Sequence, residues 1–148
     1  MDNNICITGL GIICSIGNDA ASVLDSLREG RPGIGSIKYL ETRHSHLPVG
    51  EVQLSDDQMK EILGIEGSEP MSRTSLMGAI AVRQALEQAG ITDISGKRVA
   101  LISGTTVGGM DLTEKYFERM KTDDSLLYLP QSNECGKSTL EIAEMAGL

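Results

Sequence analysis

The sequence has few cysteines and histidines, and their placement suits neither metal nor disulfide chemistry. Cys6, Cys14 and Cys135 are its only cysteines; they lack CxxC spacing and follow no secretory leader, so reduced thiols in a cytoplasm are expected. His44 and His46 form an H-x-H pair without a nearby third ligand, the pattern of solvated side chains more than of a metal centre. No cysteine stands with a histidine in a nucleophile arrangement. Positive charge is also scarce: 13 Lys and Arg against 21 Asp and Glu give a net charge of −8 and a pI near 4.7. Nucleic acid is bound by clustered cations that displace counterions, so it is not an expected partner. Long apolar runs are missing as well. Ile5 to Ile16 is too short and too glycine-rich to span a bilayer, and the start, Met1-Asp2-Asn3-Asn4, has no cationic leader region. The chain is therefore expected to be cytoplasmic, with no membrane partner.

What is present suits a folded chain. The 148 residues fall within one domain's usual size, and 40% hydrophobic with 23% charged residues is an ordinary globular balance. Ile5-Cys6-Ile7 is a continuous apolar run ending at Thr8-Gly9-Leu10-Gly11, the pattern of a strand buried on both faces and followed by a glycine turn. Ala20, Val23, Leu24 and Leu27 mark one helical face, with Asn18 or Asp19 as cap and Gly30 and Pro32 as stops. Residues 30–54 have no sustained period and predict an irregular surface excursion with one short strand. Ser55 with Gln58 forms a capping-box pattern for a short helix that Gly64 would end. Ser72 to Ala89 is the longest predicted helix, its apolar first half set between two layers and Gly90 ending it. Arg98 to Ile102 repeats the buried-strand signal, so two parallel strands joined by a right-handed crossover are expected. Helices over Asp111 to Lys121, and from Ser138 with Glu141 as capping-box partner to Gly147, complete an α/β layout.

Three glycine-containing motifs bear on chemistry. Gly9-Leu10-Gly11 follows a strand, but the third glycine of a dinucleotide fingerprint should stand where Cys14 does, and a tight turn explains the pair. Gly136-Lys137-Ser138-Thr139 copies half of a phosphate loop, but Gln131 holds the place of its first glycine, so an ordinary capped helix start is expected. Ser103 to Gly109 follows the second predicted strand, at the carboxyl end where parallel sheets bind ligands. A ligand loop and a tight strand-to-helix connection both fit that pattern. Cys135 is the one expected exposed thiol, and nothing near it in sequence handles protons.

Together these segments resemble the opening of β-ketoacyl-acyl carrier protein synthases. The resemblance is carried by Ile7-Thr8-Gly9-Leu10-Gly11 with Ile16-Gly17, and by Leu27-Arg28-Glu29-Gly30-Arg31-Pro32-Gly33-Ile34. Met71-Ser72-Arg73, Ala85-Leu86, Ala89-Gly90-Ile91, and Arg98 through Thr105 with Gly108-Gly109 keep the family's order and spacing. It implies an α/β, partial thiolase-like fold: the first part of one βαβαβαββ half, with parallel core strands and flanking helices. Residues 1–148 would then be an incomplete N-terminal portion of that domain. It further implies acyl carrier protein substrates, fatty acid or polyketide type synthesis, no cofactor, no metal, and a homodimer or a heterodimer with a synthase subunit. An acidic carrier would need a local basic patch to dock on so acidic a chain.

Catalytic groups do not map. In the family the nucleophilic cysteine follows a segment like Ser138 to Leu148, and two histidines and a lysine come from the second half, so Cys135 lies before the nucleophile's place and the chain alone is expected to be inactive. What the resemblance does place is a substrate-binding segment near the acyl channel and dimer interface: Thr105, Val107, Gly108 and Gly109, with Val107 where a side chain limits acyl length. Two other readings stand beside it, a cysteine-free partner subunit that shapes a complete synthase's acyl channel, and a nucleotide-binding domain disfavoured by Cys14 and Gln131.

Overall fold

A computed structural model describes residues 4–148. They form two compact units, residues 4–58 with Ile80–Thr92 and Met59–Ala79 with Asp93–Leu148.

In the first unit, α1 (Ala20–Glu29) begins where the sequence predicts. Asp19 accepts the Ser22 N–H at 2.7 Å while Ser22 Oγ accepts the Asp19 N–H at 3.2 Å, a reciprocal cap. Gly30 ends the helix in the left-handed region at φ +65°, where a side chain would be strained. Buried Ser26 donates to the Ile16 carbonyl at 2.6 Å, tying α1 to the turn closed by Cys14 and Gly17. The hydrogen bonds from Ser22 hold the Asp19 carboxyl below its ordinary 3.8. A lowered folded-state pKa means that the cap's electrostatic contribution is complete above the unfolded value and is lost as pH falls through the folded one. Asp19→Ala should therefore cost about 1 kcal/mol near neutral pH, with the difference from wild type narrowing on acidification below about pH 4. Urea unfolding at a series of pH values checks this.

Residues 8–12 depart from expectation. Instead of a turn leaving a buried strand, they form an extended segment laid along the second half of α3 (Arg73–Gln88). Leu10 and Ile12 donate their N–H groups to Gln88 Oε1 at 2.6 Å and Gln84 Oε1 at 2.9 Å, and Gln84 Nε2 donates to the Asn18 carbonyl. Gly9 and Gly11 permit this approach: a Cβ on either would collide with the carbonyls of Ala85 or Ala81. Ile5 and Ile7, expected to be buried, are exposed and belong to no strand, and Cys6 is exposed with them.

The irregular excursion contains β1 (Ile34–Gly35) and β2 (Val49–Gly50), paired antiparallel with Ile34 opposite Gly50. Glu51 accepts the N–H groups of Lys38, Tyr39 and Leu40 and so gathers the connection back onto β2's end. This two-stranded sheet is the only one among the described residues. The expected parallel pair is thus corrected. An apolar run becomes a strand only when a neighbour supplies its ladder, and neither Ile5–Ile7 nor Arg98–Ile102 has one among the described residues. α2 (Asp56–Leu63) begins with the expected reciprocal cap, Ser55 N–H to Gln58 Oε1 at 2.9 Å and Gln58 N–H to Ser55 Oγ at 3.1 Å.

In the second unit the first half of α3 buries Leu76 and Ala79, as its lack of charge predicts. α4 (Met110–Met120) places Leu112, Tyr116 and Met120 on one face, against Leu126 and Leu129 from two 3₁₀ turns, Asp124–Leu126 and Leu129–Asn133. The last helix, α5 (Cys135–Ala146), starts three residues earlier than predicted. Ser138 does not cap it: its hydroxyl donates inward to the Cys135 carbonyl, and Glu141 is engaged elsewhere. Ile142 of α5 packs against α3 at Gly78, where a Cβ would stand 2.4 Å from Ile142 Cδ1.

Candidate functional site

The four residues singled out from sequence lie together at the entry to α4. Thr105 is half-buried, Val107 exposed, and Gly108 and Gly109 buried. Thr105 Oγ1 accepts the N–H groups of Val107 and Gly108, both at 3.3 Å, which curls the loop on itself. Gly108 takes φ +59°, and a Cβ there would lie 2.6 Å from the Asn133 carbonyl oxygen, so glycine is required twice over. Gly109 donates its N–H to the Ser132 carbonyl at 2.6 Å and receives the Ser132 hydroxyl on its own carbonyl at 2.9 Å. On its other side a Cβ at Gly109 would meet Ser72 Cβ at 2.9 Å.

This geometry decides what the loop can do. It carries no carboxylate, imidazole, amine or thiol, and the N–H groups of Val107, Gly108 and Gly109 are all bonded within the protein. An oxyanion hole or phosphate cradle needs such donors free, and these three are committed within the protein. The chemistry it offers is shape and an aliphatic surface at Val107.

Several residues that fix the loop were not anticipated as site residues. Ser132 and Asn133 lie in a 3₁₀ turn that has no sequence period, and Thr113 Oγ1 donates to Asn133 Oδ1 at 3.0 Å to hold it. Asp111 accepts the Arg73 N–H at 2.9 Å, joining α4's first turn to α3's start. Ser72 was legible as a helix start and as part of the family segment Met71-Ser72-Arg73; its hydroxyl caps Ser75 N–H at 3.1 Å. The half phosphate loop lies within α5, with Lys137 Nζ 3.9 Å from Glu141 Oε1 and Cys135, the first residue of α5, exposed. Separately, Glu41, Thr42, Arg43 and His44 line an open depression that contains none of the predicted site residues. No helix among the described residues is long and apolar enough to cross a membrane.

Comparison with known proteins agrees with the order of these segments. Residues 2–140 match the family described as Beta-ketoacyl synthase, N-terminal domain, and the chain belongs to that family. It is 33% identical over 129 residues to Nodulation protein E of Rhizobium meliloti (strain 1021), covering 83% of this chain and 31% of that protein. It is 36% identical over 106 residues to 3-oxoacyl-acyl-carrier-protein synthase 1 of Escherichia coli (strain K12), covering 69% and 25%. With 3-oxoacyl-acyl-carrier-protein synthase 2 of Vibrio harveyi the identity is 31% over 113 residues, covering 74% and 27%. The chain thus spans under a third of the length of these relatives. Family membership carries the thiolase-like α/β class, while the described residues are mostly helical with one two-stranded antiparallel sheet.

Proposed function

We propose that this chain is the N-terminal portion of a β-ketoacyl-acyl carrier protein synthase and that its Thr105–Gly109 loop forms part of the acyl channel wall. The observation that carries the reading is the family match over residues 2–140 together with a loop whose backbone donors are satisfied and whose one exposed aliphatic side chain is Val107. In the proposed reaction a cysteine thiolate takes the acyl group from its carrier thioester and releases the carrier thiol. Malonyl carrier loses carbon dioxide, and the resulting carbanion attacks the enzyme thioester to form the new carbon–carbon bond and free the thiolate. The nucleophile, two histidines and a lysine would come from the remainder of a longer protein. What these 148 residues supply is a binding surface for the acyl chain. Acyl carrier protein substrates, a homodimer or a heterodimer with a synthase subunit, and a cytoplasmic location belong to the same reading.

The test uses a full-length polypeptide of this family that contains the chain. Val107→Phe should shorten the longest acyl group accepted, lowering kcat/KM for long acyl carriers at least about tenfold while short ones change little. An unchanged chain-length profile would remove the loop from the channel. The 148-residue chain assayed alone should give no β-ketoacyl product.

A further inference from the structure

Gly109 leans on Ser72, and Ser72 does not stand alone. Ser72 and Ser75 are almost completely buried, at 1% and 0% exposure, so each hydroxyl proton needs an acceptor inside the protein. Ser75 Oγ donates to Glu141 Oε2 at 2.6 Å, a short charge-assisted bond from α3 to α5. With that proton committed, the 2.8 Å contact between the two hydroxyls is a donation from Ser72 to Ser75, and Ser72 Oγ in turn accepts the Ser75 N–H. The order of donation is fixed by the carboxylate: Ser72 to Ser75 to Glu141. No described buried side-chain N or O atom lacks a partner, so this thread has no slack donor to rearrange around.

We propose that Glu141 is a positioning residue for the Gly108–Gly109 turn, acting through Ser75 and Ser72, and thereby, on the reading of the loop given above, a determinant of acyl-length selectivity. Removal of the carboxylate leaves the Ser75 hydroxyl buried without its acceptor. The hydroxyl then turns to a carbonyl of its own helix, as serine does when no better partner exists. Ser72 loses the atom it donated to, and its cap of the Ser75 N–H loosens. Ser72 cannot move without consequence, because the space between its Cβ and Gly109 is too small for one added carbon. The turn must follow, and the Gly109 N–H bond to the Ser132 carbonyl opens more often.

The readout is amide exchange at Gly109 in the chain itself, relative to amides in the middle of α4. Glu141→Ala and Ser75→Ala should each speed exchange at Gly109 about tenfold, the double variant adding little to either, and leave mid-α4 exchange nearly unchanged. Glu141→Gln, which keeps an acceptor oxygen, should restore protection to within about threefold of wild type. Lys137→Ala, on the exposed side of the carboxylate at 3.9 Å, should have no effect. Equal acceleration at Gly109 and in α4, or none at either, would overturn the proposal: the first marks general destabilisation, the second an uncoupled turn. No acyl group enters this measurement, so its outcome is separate from that of the Val107 test.

Discussion

Gly11→Ala is expected to release residues 8–12 from α3. A Cβ at Gly11 would lie 1.8 Å from the Ala81 carbonyl oxygen, and one at Gly9 would lie 2.0 Å from that of Ala85. These are helix backbone atoms, which cannot rotate aside as a flexible side chain can. The segment must therefore lift by more than 1 Å, and the Leu10 to Gln88 and Ile12 to Gln84 bonds cannot stretch so far from their present 2.6 and 2.9 Å. Loss of two hydrogen bonds at about 1 kcal/mol each, with the packing between them, puts the cost on the order of 3 kcal/mol. Amide exchange at Leu10 and Ile12 should approach that of an unprotected chain, and the urea midpoint should fall. Gly35→Ala, where a Cβ meets nothing within 4 Å, is the control and should stay within about 0.5 kcal/mol of wild type. Equal behaviour of the two variants would mean that the close approach of residues 8–12 to α3 does not exist in solution.

The same glycines show where sequence reading stops. Gly9 and Gly11 are visible in the sequence, and a turn is what their spacing suggests. Their role is set by Ala81 and Ala85, some seventy residues away, and by Gln84 and Gln88 standing one helical turn apart so that their amides take the place of a neighbouring strand. No local pattern encodes that pairing. Helix ends, by contrast, are local chemistry. Asp19 with Ser22, Ser55 with Gln58, and Gly30, Gly64 and Gly90 at positive φ were legible because cap and helix lie within a few residues of each other. Where a competing partner existed the local signal failed. Ser138 and Glu141 have capping-box spacing, but Glu141 bonds Ser75, sixty-six residues away, and α5 extends back to Cys135. The candidate loop was found through its glycines and its family order. Of the residues that hold it, Ser132 and Asn133 carry no periodic or motif signal, and the helix-start and family signals at Ser72 do not point to the loop, because what selects all three is the absence of space beside Gly108 and Gly109.

The 148-residue chain should self-associate through two apolar segments, Ile5–Ile7 and Arg98–Ile102, that pair with no strand among the described residues. Ile5 is 99% exposed, Ile7 85% and Ile102 94%, although isoleucine is among the residues most often fully buried. Each segment presents an apolar face and a ladder of backbone groups outside any sheet, the combination that recruits another extended strand. A net charge of −8 opposes association, but its effect is screened within about 8 Å at physiological salt, whereas strand pairing acts at contact. Sedimentation should therefore show mass rising with concentration in the micromolar range, more steeply as salt is added. Ile5→Lys with Ile7→Lys should weaken association at least about tenfold, since a cation on an unpaired edge must be desolvated for a second strand to dock. The remaining segment of a full-length relative, supplied in trans, should compete with self-association and bring amide protection to Ile5–Ile7 and Val99–Ile102, as expected if both runs are strands awaiting their neighbours. A monodisperse monomer already protected at those amides would show instead that the chain satisfies its own edges, and the view of it as one portion of a larger sheet would fall.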